Sequence, residues 1–117
     1  MHSNTLCLAS PMMPEEFEFG SARVEFWELD RIRLYIPLVD QIDELKEDLA
    51  QVRFGEHVVL DVGWYRSFPP SGRFVVCVVA RGDWSTPVFQ GEAIDLAALG
   101  LLIREASEVS RSISGVC

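Results

Sequence analysis

Two valine-rich runs constrain this chain most: HVVLDVGWYR (residues 57–66) and RFVVCVVAR (73–81), with SFPPSG between them. β-Branched residues favour extended backbone, and runs this short bounded by Pro and Gly suit strands better than helices. Their near-continuous apolar content predicts central strands covered on at least one side by helices, joined as an antiparallel hairpin with a longer loop. A third strand is expected in DWSTPVFQG (83–91). Pro87 cannot donate to a ladder, so this strand belongs at an edge or carries a bulge.

The clearest helix follows. Asp95 is placed to cap LAALGLLIREASEVSRSI, in which Leu96, Leu99, Leu102, Ile103, Ala106, Val109 and Ile113 form one broad apolar face. Gly100 in its interior costs roughly 1 kcal/mol against Ala, which predicts a close approach to the sheet at that point.

Upstream, RVEFWELDRIRLYIPL (23–38) reads as two strands turning at Asp30-Arg31, or as one long bent strand. EFEF (16–19) offers a short edge strand before Gly20-Ser21. In DQIDELKEDL (40–49) Asp40 is a candidate N-cap, and Ile42, Leu45, Leu49 and Val52 recur at the spacing of a buried helical stripe that Gly55 closes. The expected order is ββαβββα. This describes an α+β domain over residues 15–117, with a mostly antiparallel sheet of about five strands and two helices, behind a loose tail at 1–14.

The formal charge is −8. Nucleic acid and anionic membranes are bound by Lys and Arg, so neither is an expected partner. Residues 15–52 hold eleven acids against four bases, whereas residues 53–117 hold seven against six. Such segregation predicts a one-sided negative field that steers a basic partner. The opening residues lack a basic segment ahead of an apolar run, and no apolar run approaches the ~18 residues of a membrane span, so a soluble cytoplasmic protein is expected. Cys7, Cys77 and Cys117 show no CxxC spacing. No disulfide framework is expected. Cys77 reads as a small apolar side chain, and Cys7 and Cys117 could pair only if the termini meet.

No catalytic signature emerges. A calcium loop starting at Asp40 fails because its third and sixth positions hold Ile42 and Leu45. Carboxylate pairs Asp43/Glu47 and Glu44/Asp48 have no histidine nearby in sequence to complete a metal site. On an outer helix face they also lack the desolvation that acid–base chemistry needs. Asp61 interrupts the apolar run VVLDV, either as a buried acid facing a pocket or as a solvent-facing strand position. His57 is either a general base or a turn histidine, and no nucleophile-type turn accompanies it. Gly-rich phosphate loops are absent from the sequence. Neither enzyme activity, cofactor nor metal is expected.

Binding remains. Like charges one helical turn apart are each destabilising by roughly 0.2–0.5 kcal/mol, so the acids of 40–49 are surplus to folding. They are either solubilising charge or half of an interface. Trp64, Tyr65, Phe68 and Trp84 add aromatic anchors near turns, with Trp27 and at least one other assigned to the core.

The pattern of residues 57–113, with GRFVVCVVARGDWSTPVF leading through GEAIDL into LAALGLLIREASEVSR, resembles small immunity proteins of bacterial polymorphic toxin systems, including contact-dependent growth inhibition. Asp83, Trp84 and Pro87 are its most particular part. The resemblance implies a non-enzymatic protein that binds and blocks one cognate toxin, often a nuclease with a basic active-site surface. On this reading Asp43, Glu44, Glu47 and Asp48, with Glu25 and Glu28 as neighbours, pair with the toxin's Lys and Arg, while Tyr65 and Trp84 supply desolvated contacts. Two rivals stand beside it: a regulatory or adaptor domain, and a small-molecule-binding or catalytic domain built on Asp61, His57 and Tyr65.

Overall fold

A computed structural model describes residues 12–33, 36–66 and 72–115. The valine-rich runs form the centre of one sheet. Strands β3 (Val58–Tyr65) and β4 (Arg73–Ala80) pair antiparallel from Val58↔Ala80 to Tyr65↔Arg73. Strand β2 (Ala50–Phe54) adds beside β3, and β1 (Arg23–Trp27) beside β2. On the other side β5 (Phe89–Ala93) pairs with β4 and forms the edge, with Pro87 just ahead of it. The sheet order is β1-β2-β3-β4-β5, antiparallel throughout.

Helix α1 (Leu96–Ser114) packs on one face of this sheet, which makes the domain α+β as expected. Asp95 caps it, with its Oδ1 accepting from the Ala98 backbone N–H at 2.8 Å. Leu99, Ile103 and Ala106 are fully buried, as are Val52, Leu60, Val62, Phe74, Val76 and Val78 on alternate positions of the strands. A second cluster closes the N-terminal side of this core. Phe17, Phe19 and Trp27 stand 5.7–5.9 Å apart, and Phe19 meets Phe54 at 6.1 Å. Trp27 Nε1 donates to the Met12 carbonyl at 3.0 Å, and Met12 is buried.

The first half departs from expectation in detail. In place of the helix expected from Asp40 to Gly55, the chain is helical only as far as Glu44, in a 3-10 segment Leu38–Glu44 capped by Pro37 rather than Asp40 and broken by non-helical backbone at Gln41. Leu45, Leu49 and Val52 are buried as the stripe predicted, but Val52 is buried from strand β2. The segment AQVRF alternates buried Ala50, Val52 and Phe54 with Gln51 and Arg53, a period of two that overrides the looser helical spacing. Gly55 ends it with positive φ at the turn into β3.

No strand forms around 32–38 among the described residues, of which Leu34 and Tyr35 are not part. Asp30-Arg31 turns as expected, within the 3-10 segment Leu29–Arg31. Beyond it the Gln41 side chain takes the place of a ladder partner. Its Oε1 accepts from Arg33 N–H at 2.8 Å, while Nε2 donates to the Arg33 and Ile36 carbonyls at 2.9 Å. EFEF does not form a strand either, since Glu16 and Phe17 close the 3-10 segment Pro14–Phe17 and Glu18 has φ of 49°. A Cβ on Gly100 would meet only Met12, not the sheet. The close approach lies at Gly91 of β5, where a Cβ would press on Leu102 of α1.

Candidate binding face

Alternation along β2–β5 sends every second side chain to the face opposite α1, here called the far face. Gln51, Asp61, Cys77 and Gln90 stand in one cross-strand row, and Arg53, Val59 and Val79 in the next. Tyr65 continues the Asp61 side of β3 toward its C-terminal end.

The loop from Lys46 to Leu49 lies along this end of β3. Trp64 N–H donates to the Lys46 carbonyl at 2.7 Å, and Leu49 N–H to the Val62 carbonyl at 2.9 Å. Gly63 permits the contact, because a Cβ there would collide with the Glu47 backbone carbonyl. Sequence reasoning passed over Gly63; a lone Gly inside a valine-rich strand was the available signal.

This loop places Asp48 within electrostatic reach of Asp61, and Glu47, Asp48 and Asp61 around Tyr65. Asp61 is only 9% exposed, so VVLDV does hold a buried acid. Among the described residues its one hydrogen bond comes from Gln51 Nε2 at 3.4 Å. Burial pushes its carboxyl pKa up, the Gln51 bond opposes this, and the Asp48 charge adds to the rise. Tyr65 is raised by burial and then by Asp61 and Glu47. Cys77 is a free, half-buried thiol on the same row, pushed up to about 11 by burial and by Asp61.

The expected site acids divide into two groups. Glu25 bonds Arg23 at 2.7 Å and Arg53 at 3.4 Å, and Glu28 bonds Lys46 at 3.0 Å. Those contacts pull both carboxyls below their usual value, Glu25 chiefly through Arg23 and Glu28 through Lys46. Asp43, Glu44, Glu47 and Asp48 make no ion pair among the described residues; Glu44 is half-buried and the other three are exposed. They belong to the end of a 3-10 segment and the loop after it, not to one helical face.

At the opposite end of the far face lies a different chemistry. A cleft of about 370 Å³ is lined by Gln51, Arg53, Glu56, His57, Val59, Val79, Arg81, Gly82 and Trp84. Asp61 and Tyr65 do not line it, so His57 does not join them in one pocket. Arg81 and Gly82 occupy the centre of a tight turn closed by Asp83 N–H to the Ala80 carbonyl at 3.1 Å. Both have positive φ, 57° and 72°. For an Arg that conformation costs about 1 kcal/mol, and turns of this class prefer Asn or Gly.

Of the aromatics, Trp64 is core at 5% exposure and Trp27 is half-buried, whereas Trp84 is 51% exposed. Phe68, the Pro-rich loop, Cys7 and Cys117 lie outside the described residues. Among the described residues no His, Cys, Asp and Glu group is arranged to hold a metal ion, and no helix is long and apolar enough to cross a membrane. Comparison with protein-family models, curated proteins and solved structures finds no match to this chain.

Proposed function

We propose that this protein binds a basic protein surface through the acidic end of its far face, acting in the cytoplasm as an immunity-type inhibitor of a cognate toxin. One observation carries the reading: Glu47, Asp48 and Asp61 gather around Tyr65 on the sheet face that α1 leaves uncovered. Glu47 and Asp48 are exposed and without ion-pair partners among the described residues, so their field is directed outward. Tyr65 lies within electrostatic reach of both, with an apolar ring and a polar tip, a combination that suits a desolvated anchor. Asp43 and Glu44 extend the charge upstream. Glu25 and Glu28 contribute less, since their own cations already hold them. The resemblance of residues 57–113 to immunity proteins supports the same reading.

The test is co-expression with the product of the directly preceding gene, followed by association kinetics on the purified pair. Glu47→Lys with Asp48→Lys should slow association about tenfold or more at low salt and flatten its salt dependence. Unchanged kinetics would remove this end of the face from the interface, and failure of the two proteins to associate would remove the inhibitor reading.

A further inference from the structure

The cleft at the other end of the far face is unlike the rest of this acidic chain. Val59 and Val79 give it an apolar lining, and Trp84, 51% exposed, lines it as well. Among the described residues the indole N–H of Trp84 has no hydrogen-bond partner.

Two arginines, Arg53 and Arg81, line the same space. Arg53 is steadied by Glu25 at Nε, 3.4 Å away, and by the Glu56 carbonyl at Nη1, also 3.4 Å. Among the described residues its Nη2 has no acceptor of its own. Arg81 makes no ion pair among the described residues. Its backbone N–H bonds the His57 carbonyl at 2.7 Å, which locks the two turns of the cleft together. Arg81 also holds a left-handed backbone that Asn or Gly would adopt with less strain, so the turn itself does not account for an arginine here. Glu56 lines the cleft as well, and the two arginines outweigh its single charge.

From this arrangement we infer that the cleft is a binding site for a small organic anion, with a carboxylate or phosphate bridging Arg53 and Arg81 and a flat apolar body stacked on Trp84. A volume of about 370 Å³ suits a ligand of that size. Guanidinium groups match planar oxyanions by forked hydrogen bonds, and an indole face accepts aromatic or cationic partners by stacking. The inference does not depend on the proposed protein partner, because none of the acids around Tyr65 lines this cleft.

An NMR titration of the whole chain with adenosine 5′-monophosphate, benzoate, inorganic phosphate and adenosine tests it. Saturable shifts at the Trp84 indole and at Arg81, half-complete below about 1 mM for the monophosphate or benzoate, are expected. Arg81→Asn should weaken that binding at least tenfold while raising Tm by about 3 °C, because the turn relaxes. A variant that folds better and binds worse separates a ligand role from a structural one. Trp84→Ala should weaken the aromatic anions and leave phosphate unaffected. The inference is overturned if no probe saturates by about 10 mM, if adenosine binds as tightly as its monophosphate, or if Arg81→Asn binds unchanged.

Discussion

Gly63 of β3 lies directly beneath the backbone carbonyl of Glu47, so closely that no side chain fits between them. That contact brings the loop acids onto the sheet. Gly63→Ala should therefore destabilise the fold by about 1–3 kcal/mol, and should also displace Glu47 and Asp48 from Tyr65. Chemical denaturation gives the first quantity. A fall in the Tyr65 hydroxyl pKa toward its ordinary value gives the second, and a Tyr65 pKa unchanged from the parent in a folded variant would contradict the arrangement.

Asp61 is held with its ionised form disfavoured. Because the folded chain raises this carboxyl above its ordinary value of 3.8, the native state takes up the proton more readily than the unfolded state. Ionised Asp61 therefore costs stability at neutral pH, and the cost disappears as pH falls below the ordinary value. Asp61→Asn keeps an acceptor for Gln51 and should raise Tm at pH 7, by about 1 kcal/mol or less in free energy. The gain over the parent should vanish near pH 3. A loss of stability at pH 7 would show that the carboxylate is held by contacts stronger than the Gln51 bond.

Cys77 should be a poor nucleophile. With the thiol pushed up to about 11, the thiolate at pH 8.5 is roughly a hundredfold scarcer than for an ordinary cysteine. In a chain carrying Cys7→Ser and Cys117→Ser, alkylation should be slow at pH 8.5 and accelerate as pH rises toward 11. Rapid labelling at pH 8.5 would contradict the burial of this row.

At the start of α1 the Asp95 carboxylate accepts from Ala98 N–H. Asp95→Ala should cost about 1 kcal/mol, seen as a lower denaturation midpoint with an unchanged denaturant slope.

Legibility followed the number of competing signals. Strands β3 and β4 and helix α1 were readable because long apolar runs, a flanking Pro/Gly loop and an aspartate cap pointed the same way. Residues 40–54 were ambiguous, since Leu45, Leu49 and Val52 satisfy a helical stripe while Ala50, Val52 and Phe54 satisfy a strand. The like-charged pairs Asp43/Glu47 and Glu44/Asp48 weaken the helix, and pairing with β3 stabilises the strand; neither term appears in a periodicity count. Of the site, the residues were legible but not their grouping. Glu25 and Glu28 looked like the exposed loop acids until β1 met β2 and Arg53 and Lys46 came within reach. The cleft of Arg53, His57, Arg81 and Trp84 joins two turns separated by some 25 residues, and no local motif announces it.

The unbroken order of the sheet has a kinetic consequence. Each strand pairs with its immediate successor, so no ladder waits for a distant part of the chain to arrive. Loop closure is least demanding between β2 and β3, joined by only Gly55, Glu56 and His57, while β3 and β4 have the longest and most apolar pairing. These three strands are thus the natural nucleus, and β5 zips onto it from the β4 side. Strand β1, with a register irregularity between Val24 and Phe26, would join late and open first, taking the Glu25 clamp on Arg53 with it.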